Sequence, residues 1–172
     1  MASDAVRDAD ACVEQLYAAH WRSLVRLSLL LVHDTGTAEE VVQDAFVAMH
    51  GRWRRLRDPE LALAYLRQAV VNRSRSVLRH RGVQHRHADA ERPVVRDLPG
   101  VDEAALATER RATLLDALRA LPDRQREVLA LRYYLDLSEA EIASTLGISR
   151  GAVKSHASRG VAALRTLMED DS

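Results

Sequence analysis

The chain has 172 residues, 47% hydrophobic and 29% charged, with 25 basic and 25 acidic side chains and a formal net charge of zero. That is enough apolar material to bury a core, which excludes wholesale disorder, and the length allows one domain or two small ones. A single cysteine, Cys12, excludes an internal disulfide and any cysteine-rich zinc site.

Aromatic residues make up only 4%, and alanine, leucine and valine dominate the apolar set. This composition suits closely packed helices, and the expected class is all-α. The zero net charge hides a segregation. Residues 51–86 carry ten arginines against Asp58 and Glu60, whereas Asp4, Asp8, Asp10, Glu14, Glu39, Glu40 and Asp44 make the N-terminal part acidic. Asp97 to Glu109 is acidic too. Separated fields of opposite sign suit a nucleic acid on one surface and a second, different partner on another.

The opening stretch MASDAVRDAD lacks the basic start of a signal peptide. The longest apolar run, Leu24 to Val32, is interrupted by Arg26 and Ser28 and is too short to span a bilayer. A cytoplasmic protein with no membrane insertion is expected. Val13, Leu16, Tyr17, Leu24, Leu27 and Leu31 form a helical stripe that ends at His33-Asp34-Thr35-Gly36. Thr37 and Glu40 have capping-box spacing and predict a helix to about His50. One face of it is Val41, Val42, Ala45, Phe46 and Met49; the other carries Glu39, Glu40, Gln43 and Asp44. Such a face suits a partner or bare solvent alike.

Gly51 to Arg57 reads as a basic loop holding Trp53. Asp58 as N-cap and Pro59 at the first helical position start the next helix, expected to reach about His80. Leu63, Leu66, Val70 and Val77 form its inner side. Gln68, Asn72, Arg75 and Arg79 follow at steps of four, three and four, a polar and basic stripe flanked by Arg73 and Arg81. With few acids nearby, that stripe fits a nucleic-acid backbone better than a merely solvated face.

From Gly82 to Asp102 periodicity is lost, and Pro93, Pro99 and Gly100 mark a linker. His85 and His87 in that stretch lack the partners a metal site needs. A helix from Glu103 to Ala120 carries Leu106, Leu114, Leu115 and Leu118, and Leu121-Pro122-Asp123 is a break with a new N-cap. Val128, Leu129, Leu131 and Tyr133 or Tyr134 continue the core.

The stretch from Ser138 to Leu164 reads as a helix-turn-helix. Ser138 and Glu141 form a capping box, Ile142 and Leu146 an apolar face, and Gly147 the left-handed stop. Ser149 caps the second helix, whose inner side is Val153, Ala157, Gly160 and Leu164. Arg150, Lys154, Ser155, Ser158 and Arg159 remain outside as donors for phosphates and major-groove base edges. An ordinary helical hairpin with a basic face is the alternative; the caps, the glycine turn and the basic second helix together favour DNA binding. No glycine-rich phosphate loop, metal-ligand cluster or nucleophile with a base is present, so neither a catalytic residue nor a cofactor is expected.

Three stretches taken in order resemble bacterial RNA polymerase sigma factors of the small, extracytoplasmic-function type (group 4). AEEVVQDAFVAMH (Ala38 to His50) resembles the family's core-polymerase-binding helix. AYLRQAVVNRSRSVLRHR (Ala64 to Arg81) resembles its −10 recognition helix, with Asn72 on the motif's asparagine. LPDRQREVLALRYYLDLSEAEIASTLGISRGAVKSHASRG (Leu121 to Gly160) resembles its −35-binding domain. The resemblance implies two small helical domains, 1–82 and 103–172, joined by a flexible linker, 83–102.

It implies promoter-specific initiation in partnership with RNA polymerase core (the β′ clamp and β) and promoter DNA, with an anti-sigma factor as a further partner. Glu39, Glu40, Val42, Gln43 and Asp44 would mark the helix that docks on the clamp, while Phe46 belongs mostly to the core. The segment from Arg54 to Pro59, with Arg55 and Arg57, falls where the family holds a flipped base. Gln68, Asn72, Arg75 and Arg79 would face the −10 DNA, and Lys154, Ser155, Ser158 and Arg159 the major groove of the −35 element, with Arg150 near a phosphate. The sequence departs from the family pattern at Tyr65, usually tryptophan, at Ser76, often aspartate, and at His156, commonly arginine. A response-regulator-type helix-turn-helix regulator that does not replace sigma is the alternative, although residues 1–100 show neither strand alternation nor a phosphorylatable aspartate cluster. A helical adaptor that reads no promoter is a third reading.

Overall fold

The structure is a computed structural model that describes residues 2–56, 58–85 and 105–170. The described residues are helical with short connections and include no strand. The chain divides into two compact units, Met1–Arg92 and Pro93–Ser172.

The first unit is three helices packed on one another: α1 (Ala2–Val32), α2 (Thr35–Leu56) and α3 (Pro59–His85). Their shared core contains Leu24, Leu27, Val42, Met49, Leu66, Val70 and Val71, all with under 2% of their surface exposed. Each such side chain contributes about 1.5–3 kcal/mol of burial free energy. Inside it the Ser28 and Ser74 hydroxyls hydrogen-bond at 3.0 Å, fixing the register of α1 against α3. Tyr17 stacks on Trp21 at 4.6 Å and meets Phe46 edge-on at 5.2 Å, so aromatic packing ties α1 to α2. Phe46 is buried, as expected.

The α1–α2 corner differs from the expected capping box. His33 takes the left-handed conformation (φ 62°) and its N–H donates to the Leu29 carbonyl at 2.9 Å, which closes α1. Asp34, and not Thr37, is the N-cap of α2: its Oδ2 accepts the Thr37 N–H at 2.8 Å and the Thr37 hydroxyl as well. An anionic cap on the N-terminal end of a helix also meets its dipole. These two hydrogen bonds, hydroxyl first, hold the Asp34 carboxyl below its usual pKa, assisted by Arg81 and opposed by partial burial.

The expected basic loop is a second difference. Residues 51–56 continue α2, because Trp53 is buried in the core and carries the helix onward with it. Arg54 and Arg55 occupy its last turn, where positive charge is favoured by the helix dipole. Asp58 caps α3 as expected, its Oδ1 accepting the Glu60 N–H at 2.9 Å. The helix runs on past Gly82 to His85, five residues beyond the expected end.

The second unit contains α4 (Ala105–Ala120), α5 (Asp123–Leu129), a π-helical turn (Ala130–Tyr134), α6 (Glu139–Leu146) and α7 (Arg150–Asp170). Helices α4, α5 and α6 all pack against α7. Asp123 is the first residue of α5 rather than its cap. The α4–α5 corner is instead organised by Arg126, which is buried. Its guanidinium donates to the carbonyls of Leu118 (2.9 Å) and Leu121 (2.8 Å), closing the C-terminal end of α4 from the next helix. Burial lowers the Arg126 pKa, and the Asp123 and Glu127 carboxylates beside it work in the opposite direction. The π turn is marked by the Leu135 N–H donating to the Ala130 carbonyl at 3.3 Å. It turns Tyr133 to solvent, 67% exposed, so Tyr133 is not a core residue.

Candidate nucleic-acid interface

The helix-turn-helix forms from local signals. The Ser138 Oγ accepts the Glu141 N–H at 3.2 Å, and Glu141 Oε2 accepts the Ser138 N–H at 2.7 Å, a complete capping box. Gly147 sits at φ 65°, a conformation glycine adopts without strain. The Ser149 Oγ then accepts the Ala152 N–H at 3.0 Å and starts α7.

Val153, Ala157 and Gly160 are the buried side of α7. Leu164, expected beside them, is only half-buried. Arg150, Lys154, Ser155, Ser158 and Arg159 are all exposed, on the opposite side. Two of these cations share one carboxylate: Glu139 Oε2 lies 3.9 Å from the Arg150 guanidinium and 3.8 Å from Lys154 Nζ. Glu139 was not among the residues singled out from sequence. It also lines a groove of about 520 Å³ with Arg132, Tyr133, Lys154, Ser158 and Arg165.

In the first unit, Gln68, Asn72 and Arg79 are exposed along one side of α3, with Arg75 half-buried between them. Arg54 and Arg55 are exposed at the end of α2, and Arg57 lies outside the described residues. Arg52 stands over the Tyr65 ring at 5.5 Å, a cation–π contact at the same end. Arg81, expected to add to the basic stripe, instead turns inward. Its guanidinium donates to the Val32 carbonyl at 3.4 Å and to the Thr37 hydroxyl, and lies 3.7 Å from Asp34 Oδ2.

The predicted partner-binding face of α2 needs one correction. Glu39, Glu40, Gln43 and Asp44 are exposed, but Val42 is completely buried in the three-helix core and cannot touch a partner. The same face continues into Val47, which is 68% exposed and which the sequence pattern assigns to neither face. Among the described residues no group of three or more His, Cys, Asp or Glu could hold a metal. None of the described helices is long and apolar enough to cross a membrane. His87 lies outside the described residues.

Comparison with known proteins matches residues 16–83 to the family model "Sigma-70 region 2" and residues 111–164 to "Sigma-70, region 4". An RNA polymerase sigma-E factor of Streptomyces avermitilis is 36% identical over 149 residues, 86% of this chain and 79% of that protein. The ECF RNA polymerase sigma factor SigL of Mycobacterium tuberculosis is 32% identical over 167 residues, 93% of this chain and 90% of its own. Among solved structures, CnrH in complex with the cytosolic domain of CnrY aligns with a TM-score of 0.73 at 25% identity, covering 99% of this chain and 96% of that one. The sigma factor RpoE in complex with the anti-sigma factor NepR from Bartonella quintana shares the fold, with a TM-score of 0.76 at 22% identity over 92% of this chain and 98% of that one.

Proposed function

The chain belongs to the sigma-70 family of RNA polymerase sigma factors, in its extracytoplasmic-function type, and from that premise we propose how its surfaces divide the work of promoter-specific initiation. The response-regulator alternative falls, because residues 16–83 match sigma-70 region 2 where a receiver would have to stand.

The exposed face of α2, Glu39, Glu40, Gln43 and Asp44, docks on RNA polymerase core at the β′ clamp, with β as a further contact. Carboxylates there set orientation and on-rate against a basic partner surface. Gln68, Asn72, Arg75 and Arg79 meet the −10 element, with Arg54, Arg55 and Arg57 near an unstacked base. Lys154, Ser155, Ser158 and Arg159 read the −35 element in the major groove, with Arg150 near a phosphate. Residues 1–82, extended to His85 by the end of α3, and 103–172 serve as the two binding domains, with the rest of 83–102 as their linker. Tethering on the polymerase supplies the effective concentration that lets two weak DNA readers act together. The protein works in the cytoplasm without chemistry of its own, and an anti-sigma factor is a further proposed partner.

The observation that carries this reading is the partition of α7, with five donors outside and Val153, Ala157 and Gly160 inside. In vitro transcription with purified core polymerase tests it. Promoter-specific transcripts that depend on the added chain are expected; core binding without promoter selection would leave an adaptor instead.

A further inference from the structure

Glu139 stands out as an acid among the donors of the helix-turn-helix. Its carboxylate lies 3.8 Å from Lys154 Nζ and 3.9 Å from Arg150, in the groove that also holds Arg132 and Arg165. Its structural duties are small. The cap of α6 is complete without it, since Ser138 and Glu141 satisfy each other. Ion pairs to partners as exposed as Arg150 and Lys154 add little to stability. What Glu139 does change is the charge that an approaching duplex meets.

We propose that Glu139 is a specificity-determining residue, a fixed negative charge among the −35-reading cations that penalises sequence-independent phosphate contact. The inference rests on the assignment of α7 to DNA. Non-specific binding to duplex DNA is almost entirely phosphate neutralisation. A phosphate settling on Lys154 or Arg150 must displace the Glu139 carboxylate or sit beside it, and both are unfavourable. A neutral base edge in the major groove meets no such repulsion and is read by hydrogen bonds. Glu139 therefore weakens binding to random sequence more than binding to the promoter, and it keeps Lys154 and Arg150 gathered before DNA arrives.

The test uses the full chain assembled with core polymerase, as wild type, Glu139→Gln, Glu139→Ala, Lys154→Ala and the Glu139→Gln/Lys154→Ala double variant. Each is titrated over a salt series with a promoter duplex and with a scrambled duplex of equal length. Both Glu139 variants are expected to tighten the scrambled duplex several-fold while the promoter duplex changes little. The scrambled-duplex salt slope should steepen by up to about 0.9, the increment of one further phosphate contact. In the Lys154→Ala background the gain should shrink. Equal effects on both duplexes would overturn the proposal, as would selective loss of promoter binding, which would make Glu139 a base reader. If wild type itself fails to separate promoter from scrambled DNA, it is the assignment of α7 that fails. Unfolding midpoints of the two Glu139 variants guard against misfolding, and agreement between them is required.

Discussion

Gly160 of α7 lies against Leu129 of α5 so closely that a Cβ added there would stand 3.0 Å from the leucine Cδ1 and 3.1 Å from its Cγ. The two helices meet through bare backbone at that point, and this contact seats α7. Leu129 is buried and has little room to yield. Gly160→Val should destabilise the second unit by about 1–3 kcal/mol through overpacking. Combining it with Leu129→Ala should recover part of the loss, as followed by thermal unfolding. Additive losses would mean that the contact is not the cause.

Arg126 closes α4 from α5, and a surface-type residue is thereby made part of the frame. Arg126→Leu would take a donor from the Leu121 carbonyl, leave the Leu118 carbonyl with the Leu121 N–H at 3.2 Å, and leave Glu127 buried beside one fewer cation. A loss of about 2–3 kcal/mol is expected. Arg126→Lys should restore only part of it, because a point-like ammonium does not reproduce the planar fork. Denaturant titration of the three proteins measures the order.

Asp34 links stability to pH. Its carboxyl is held below the unfolded value, about 3.9, chiefly by the Thr37 hydroxyl. A depressed acid contributes stability that is fully present above the unfolded pKa and is lost as pH falls through the folded one. The first unit should therefore weaken on acidification below about pH 4. Asp34→Asn, which can still cap, should flatten that limb. Asp34→Ala should remove about 0.5–2 kcal/mol at neutral pH. Unfolding midpoints across a pH series provide the measurement.

The capped helix-turn-helix was legible because each of its signals acts within three residues: Ser138 with Glu141, Gly147 at its own φ, Ser149 with Ala152. The misreadings share the opposite property. Asp34 and Thr37 can both cap, and the arrangement that uses Asp34 also engages Arg81, 44 residues from Thr37. Gly51 and the arginines around Trp53 have the composition of a loop, and the burial of that indole, which the local composition does not announce, goes with the helix continuing. Val42 is a different case: its spacing places it on the apolar face with Val41 and Phe46, the family resemblance alone carries it to the docking side, and its full burial agrees with the spacing. A π turn shifts register without a composition of its own, which is why the choice between Tyr133 and Tyr134 for the core stays open in the sequence; the structure exposes Tyr133 and half-buries Tyr134.

For the DNA-reading surface, Lys154→Ala with Arg159→Ala should weaken promoter binding by about 1–3 kcal/mol for each good base contact removed. Footprinting of the assembled polymerase on promoter DNA, compared with binding to a promoter altered only at the −35 element, reads the loss. Unchanged affinity and promoter choice would remove these two residues from the interface.

For the acidic face, Asp44→Arg should lower affinity for core polymerase while leaving unfolding unchanged, since Asp44 is exposed. Val42→Ala should do the reverse. It opens space in the core and costs stability before it affects docking. A pull-down on core polymerase alongside thermal melts separates the two outcomes.

Arg81 gives the first unit a mechanical property. It leaves the far end of the helix assigned to the −10 element and grips both the final carbonyl of α1 and the first turn of the acidic helix. The helix proposed to seat on the polymerase and the helix proposed to meet the melted strand are thus pinned by Arg81 at one end in addition to their shared core. Docking that tilts α2 would swing α3 with it, so seating on the enzyme would also aim the DNA-reading edge.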